Sequence, residues 1–174
     1  MVLKSSFFNR SSLLVAPDLL GTRLVRKIGD DYISATIIEI EAYEGFDDLA
    51  SHASRGRTPR NTPMFGAPGI IYVYFVYGMH WMLNLVCGPK DYPAAVLIRG
   101  VEDCLGPGRV TKKFLIDKNV NGEILAKKSG LWIEDALNAE EKEKRQIIMT
   151  PRIGVAYAGP IWSQKPYRFL LKQK

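Results

Sequence analysis

From Asn61 to Pro89 the chain carries no Asp, Glu, Lys or Arg. Inside that window Ile70-Ile71-Tyr72-Val73-Tyr74-Phe75-Val76-Tyr77 and Trp81-Met82-Leu83-Asn84-Leu85-Val86-Cys87 flank Gly78. A charge-free run of this length could cross a membrane. A central glycine and flanks rich in β-branched and aromatic residues describe something else, two strands joined at a tight turn. Ala94 to Val101 is a third apolar strand.

The rest of the chain extends that picture. Ser11 or Ser12 caps a short helix through Leu20, with Gly21 as its stop, and Pro17 favours a later start at Ala16. Thr22 to Lys27 and Tyr32 to Tyr43 read as strands around a turn at Gly29-Asp30-Asp31. Phe46 to Ala53 is a short helix or loop, and Ser54 to Pro63 a polar loop. Gly106-Pro107-Gly108 breaks the chain before a helix over Val110 to Ile116. Leu131 to Glu134, Ile153 to Ala156 and Tyr167 to Leu171 read as short strands, and Ala139 to Arg145 as a charged, solvated segment. Neither a repeat nor a linker divides residues 1–174, so one α+β domain on a largely antiparallel sheet is expected.

The net charge of +6 favours a polyanionic partner, nucleic acid or a membrane surface. Cys87 and Cys104 do not make a disulfide scaffold and fit a reducing compartment. With His52 and His80 they match no metal-ligand spacing, and no phosphate-loop or dinucleotide fingerprint occurs, so neither metal nor cofactor is expected. Pro17 and Asp18 interrupt the first apolar run, which reads poorly as a signal peptide.

Candidate chemistry starts at Ile38-Glu39-Ile40-Glu41-Ala42-Tyr43. Strand side chains alternate faces, so Ile37, Glu39, Glu41 and Tyr43 share one face, and Thr36, Ile38, Ile40 and Ala42 the other. Two carboxylates on one face are also what a solvated surface carries. Arg99 bears on the choice, because it interrupts an apolar strand. Either it marks a strand end and points to water, or it is buried and needs an anionic or multiply hydrogen-bonded partner, which Glu41 or Glu39 could supply, and such a pair would keep a general base ionised. Asn84, polar among apolar neighbours, either satisfies its own amide or reads a ligand edge. Tyr72 and Tyr74 share a face, while Tyr77 falls at the turn, where an aromatic can project as a wedge between base pairs. Arg109, Lys112 and Lys113 beside the glycine turn, and Arg55, Arg57 and Arg60 in the polar loop, are phosphate-contact candidates or plain solvated surface.

Several segments stand in a specific order: Glu39-Ile40-Glu41-Ala42-Tyr43, Ser51-His52, Thr58-Pro59-Arg60-Asn61, Met64-Phe65, Gly69-Ile70-Ile71-Tyr72-Val73-Tyr74 and Tyr77-Gly78-Met79. Asn84, Val96-Leu97-Ile98-Arg99, Gly106-Pro107-Gly108 and Pro151-Arg152-Ile153-Gly154-Val155 follow. From Leu19 to Phe169 the chain resembles the alkyladenine (3-methyladenine) DNA glycosylases. The resemblance implies one compact domain around a curved antiparallel sheet, similar to the C-terminal domain of methionyl-tRNA formyltransferase. It implies Glu41 as the base that activates a water, Arg99 as the residue that helps place it, and assistance from the Ile153 carbonyl. Tyr43, His52 and Tyr74 would sandwich a flipped base, and Tyr77 would fill the gap left in the duplex. Asn84 would crowd the exocyclic amine of normal guanine. No lysine lies in the matched set, which implies a monofunctional enzyme that leaves an abasic site. The implied partner is double-stranded DNA with damaged purines, met as a monomer in the nucleoid or nucleus. 3-Methyladenine, 7-methylguanine, hypoxanthine and ethenoadenine are the implied lesions. His80 and Trp81 depart from the family pattern beside the wedge, and no regulatory N-terminal extension is expected. The alternative is a catalytically silent module that binds damaged DNA or RNA.

Overall fold

The computed structural model describes residues 1–135 and 137–172. Helices α1 (Ser5–Phe8) and α2 (Ser12–Leu19) lead into strands β1 (Arg23–Ile28) and β2 (Asp31–Glu44). After a long loop come β3 (Ile71–Val76), β4 (His80–Cys87), β5 (Ala94–Val101) and β6 (Cys104–Leu105), then α3 (Pro107–Lys113). The chain continues with β7 (Leu131–Glu134), α4 (Ala139–Glu143), β8 (Ile147–Thr150), α5 (Gly159–Trp162) and β9 (Arg168–Leu171). All pairings are antiparallel, in the order β3-β4-β5-β2-β1-β7, with β6 on β5 and the β8–β9 pair joined to β2. The fold is a single α+β domain around a curled antiparallel sheet.

Alternation builds the two faces. Ile71 and Val73, Leu83 and Leu85, Ala94, Val96 and Ile98 point into the main core, where α1 and α2 supply Phe8, Val15 and Leu19 and α3 supplies Val110. Tyr72, Val86 and Ala95 point the other way, into a second cluster with Met64 and Phe65, against which Tyr43 and Tyr74 pack. The charge-free window is therefore a 3₁₀ turn followed by a hairpin covered on both faces at its base and exposed at its tip, and among the described residues no helix is long and apolar enough to cross a membrane. At its tip Met79 N–H donates to Val76 O (3.1 Å), with φ of 53° at Tyr77 and 67° at Gly78. Positive φ at both central residues marks a type I′ turn, whose twist matches that of the strands.

β2 departs from strict alternation. Its pairing with β5 shifts register on both sides of Glu39. A bulge of this kind bends a strand and changes which side chains share a face. Ile37 consequently lies in the core with Ile40 and Ala42, and is not on the face of Glu39 and Glu41 as strict alternation expects. The bulge lets one strand bury apolar residues along its length and still turn Glu39, Glu41 and Tyr43 toward the second face.

Three other expectations change. The first long helix starts at Ser12, where Ser11 accepts from Leu13 N–H (3.2 Å), and it contains Pro17 near its end. Pro17 supplies no backbone donor, and the helix ends two residues later at Leu19. α3 begins at Pro107 rather than Val110, because proline suits the first helical turn. Ile153 to Ala156 is not a strand: Gly154 takes φ 76°, and the closing pair is β8 at Ile147–Thr150 with β9.

Candidate active site

Glu41 sits mid-sheet, opposite Leu97 of β5 and Arg168 of β9, and its side chain is fully buried. Its Oε1 accepts from the Ile153 N–H (2.7 Å), and its Oε2 accepts from the Tyr43 hydroxyl (3.0 Å). Arg99 Nε lies 3.5 Å from Oε1. Burial pushes the Glu41 carboxyl above its ordinary value of 4.5, while Arg99, the Ile153 N–H, the Tyr43 hydroxyl and Arg152 pull it back. The expected guanidinium neighbour is present, but desolvation outweighs its pull toward the ionised form. A raised carboxylate is a stronger base near neutral pH.

Arg99 pairs more closely with Glu39, donating from Nε to Oε1 at 3.1 Å. The same oxygen accepts from Arg168 Nε at 2.6 Å, and Arg168 also reaches the Thr150 hydroxyl. Both carboxylates named as partners of Arg99 are thus engaged, Glu39 by hydrogen bonds and Glu41 by proximity. Gly100 lets the strands approach closely beside them, since a Cβ there would stand 3.0 Å from Glu39 Cβ.

The aromatic residues come together next to Glu41. The His52 and Tyr74 rings meet edge to face at 4.5 Å, and Tyr72 lies 5.2 Å from Tyr74. Burial, with Arg60 nearby, lowers the His52 pKa from 6.5, so the imidazole is neutral at pH 7. Burial raises the hydroxyls of Tyr43 and Tyr74 well above 10, and that of Tyr72 to about 12. Asn84 donates from Nδ2 to the carbonyls of Tyr72 and Met82, 3.3 Å each, so its donor group is satisfied locally as the simpler reading had it. It also lines a narrow inner pocket of about 30 Å³ with Tyr43, His52, Tyr72 and Tyr74. That is room for about one water molecule, less than a purine needs. The pocket joins a cleft of about 310 Å³ lined by Glu41, Arg99, Tyr74, Tyr77, Met82 and Ile153. Tyr77 stands at the rim, 84% exposed.

The basic candidates divide. Arg57 is bound to Asp91 (2.5 Å) and stacks on Phe65, and Arg60 donates to Phe75 O and lies over Tyr74. Lys113 reaches Glu102 O. Arg55, Arg109 and Lys112 are exposed.

Arg152 had no role assigned from sequence. Its fully buried guanidinium binds Asp48 through two bonds (2.6 and 2.8 Å) and the carbonyl of Ala42 (2.9 Å). It lies 4.8 Å from the ring centroid of Tyr43 and 5.2 Å from that of Tyr167. The pair anchors the segment whose next residue, Ile153, holds Glu41. The pairing spans a chain separation of 104 residues. The one local signal was an arginine in a segment already set apart, Pro151 to Val155.

A buried carboxylate with a raised pKa, opening into a cleft beside aromatic rings in a basic protein, suits hydrolysis next to a planar ligand. Residues 6–105 and 101–174 match the family described as methylpurine-DNA glycosylase, and the chain belongs to that family. It is accordingly an enzyme that hydrolyses N-glycosyl bonds. Relatives described as candidate 3-methyladenine DNA glycosylases extend along nearly its whole length. One from Anaeromyxobacter dehalogenans (strain 2CP-C) is 41% identical over 99% of this chain and 84% of its own. One from Sodalis glossinidius is 42% identical over 97% and 95%, and one from Methanocella arvoryzae 39% over 97% and 91%.

Proposed function

We propose that residues 1–174 form one monofunctional 3-methyladenine DNA glycosylase domain of base excision repair. It takes alkylated or deaminated purines from duplex DNA, with its preference lying among 3-methyladenine, 7-methylguanine, hypoxanthine and ethenoadenine. The observation that carries the reading is Glu41, buried at the floor of the cleft and held by Ile153 N–H and Tyr43 hydroxyl, with Arg99 3.5 Å away. A base inside a duplex cannot reach such a carboxylate, so it must be flipped out at a cost of a few kcal/mol. Stacking against Tyr43 on one side and the His52–Tyr74 pair on the other offsets that by roughly 1–3 kcal/mol. Electron-rich rings attract a purine made cationic by alkylation, and a neutral His52 does not repel it. Asn84 at the pocket edge crowds the exocyclic amine of undamaged guanine. The narrow inner pocket supports a step in which the rings part as the base enters.

The N-glycosidic bond breaks with its electron pair on the departing base, and the sugar gains oxocarbenium character. Glu41 stabilises that charge and accepts a proton from the attacking water, which Arg99 and the Ile153 carbonyl help to hold. The oxygen bonds to C1′, leaving a free base and an abasic site. The curled sheet supports the likeness to the C-terminal domain of methionyl-tRNA formyltransferase. A monomer acting on double-stranded DNA, in the nucleoid of a prokaryote or the nucleus of a eukaryote, completes the reading. A single-turnover assay on duplexes bearing one lesion each tests it. Free base released without strand scission is expected. Lesion DNA that is bound but never cleaved would instead indicate a silent binding module.

Two further results are expected from the DNA-binding surface. Tyr77 adopts a left-handed φ that costs an L residue about 1–2 kcal/mol. Tyr77→Gly should therefore leave the melting temperature unchanged or raised, yet weaken lesion-DNA binding about tenfold or more by removing the stacked ring. Unchanged affinity would remove the wedge role. Arg109→Ala and Lys112→Ala should each flatten the slope of log affinity against log salt by about 1 and weaken binding to all sequences alike. A constant slope would return both to solvated surface.

A further inference from the structure

Tyr157 lies outside the residues assigned above, yet it stands where three cavities meet. It sits on the short 3₁₀ turn Ala156–Ala158, between Val155 and Ala158, which are buried against Ala50. The turn is thus anchored on both sides of the tyrosine, and the side chain projects outward, 65% exposed. Its hydroxyl donates to Ala50 O (2.8 Å), tying this turn to the segment that carries His52.

The ring lines the inner pocket of about 30 Å³ and the catalytic cleft of about 310 Å³. It also lines a further cavity of about 290 Å³, whose other walls are Leu49, Ser51, His52, Ser54 and Arg55. The cleft and this further cavity share two wall residues, His52 and Tyr157. These two side chains therefore form a partition, with the base pocket on one side and unused volume on the other. His52 is held against Tyr74, whereas Tyr157 is held by one hydrogen bond from an exposed position.

We propose that Tyr157 is a specificity-determining residue that limits the size of the purine the pocket accepts. The assignment rests on the base-excision reading. A bicyclic base ends at the partition. A tricyclic adduct carries an extra ring, which must displace the Tyr157 side chain or be refused. Without that ring, the cleft opens past His52 toward the further cavity, and the added volume favours the larger base. The hydroxyl has a separate part, since its bond to Ala50 O holds the wall in place but does not form it.

The test is single-turnover excision of hypoxanthine and of ethenoadenine from otherwise identical duplexes by the native protein, Tyr157→Ala and Tyr157→Phe. Tyr157→Ala should raise the ethenoadenine-to-hypoxanthine rate ratio about tenfold, within the range by which steric pockets discriminate. Tyr157→Phe keeps the ring that forms the wall and loses only the bond to Ala50 O, so its ratio should stay closer to native than that of Tyr157→Ala. Release by the native protein with an unchanged ratio in Tyr157→Ala, or an equal fall on both lesions, overturns the assignment and leaves the excision reading intact. No release of either base by the native protein overturns the excision reading, and the Tyr157 assignment with it. Both variants lose the bond to Ala50 O, so a small and similar fall in melting temperature is expected in each, and a ratio that changes only in Tyr157→Ala separates specificity from folding.

Discussion

Glu41→Gln removes base excision, with the single-turnover rate falling about 10²–10⁴-fold or more, the span attributed to a positioned general base. Binding of lesion-bearing duplex should persist, because the substitution is isosteric and the Tyr43 hydroxyl, which donates to Oε2, can accept from the amide in its place. The glutamine carbonyl can still accept from Ile153 N–H, and Arg99 keeps Glu39 as its hydrogen-bonded partner. What is lost is the negative charge beside C1′ and the site that takes the water's proton. The same carboxylate sets the pH dependence. Burial raises its pKa above 4.5, so the base becomes protonated, and the rate falls, at a pH above that ordinary value. The acid limb of the native single-turnover profile should lie there. In Glu41→Gln that limb should vanish along with the rate. Undiminished excision by Glu41→Gln would sink the assignment of the base.

The parts of this site readable from sequence are the local ones. Period-2 alternation separates Ile71 and Val73 from Tyr72 and Tyr74 without knowledge of the tertiary fold, and the structure places them on opposite faces. Glu39, Glu41 and Tyr43 came out on one face for the same reason. Ile37 did not, because a bulge depends on what the partner strand does, and nothing in Ala35 to Tyr43 announces it. Ile153 to Ala156 misled for a related reason. Isoleucine, glycine and valine read as a strand, but the backbone N–H that a ladder would use is spent on Glu41. The roles given to Glu41, Arg99 and the stacking residues came from family resemblance. Asp48 and Arg152 illustrate the limit: each is an ordinary charged residue in its own segment, and their pairing exists only once the chain closes. Tyr157 is similar, since its place between cavities is a property of the packed loops.

Arg152→Met should have the largest effect on stability. The native guanidinium is fully buried, as is its partner carboxylate. Removing one partner of a buried ion pair strands the other charge and costs about 3–5 kcal/mol. Asp48 would keep the N–H donors of Glu44 and Ala50 but lose its counter-charge. For a chain of this size each kcal/mol shifts the melting temperature by about 2–4 °C, so a fall of roughly 6–20 °C is expected. Excision should fall too, because the guanidinium backs the Tyr43 ring and fixes the residue before Ile153, whose N–H holds Glu41. The double variant Asp48→Asn/Arg152→Met separates charge from shape. With no charge left buried, it should recover part of the lost stability, since replacing both partners of a buried pair is far less costly than removing one. Excision should not recover with it, as Tyr43 and Ile153 still lack their anchor. Urea denaturation of the native, single and double variants measures the first effect, and single-turnover excision the second. A single variant that loses under about 1 kcal/mol, or a double variant no more stable than the single, would show that the pair does not hold the site together in this way.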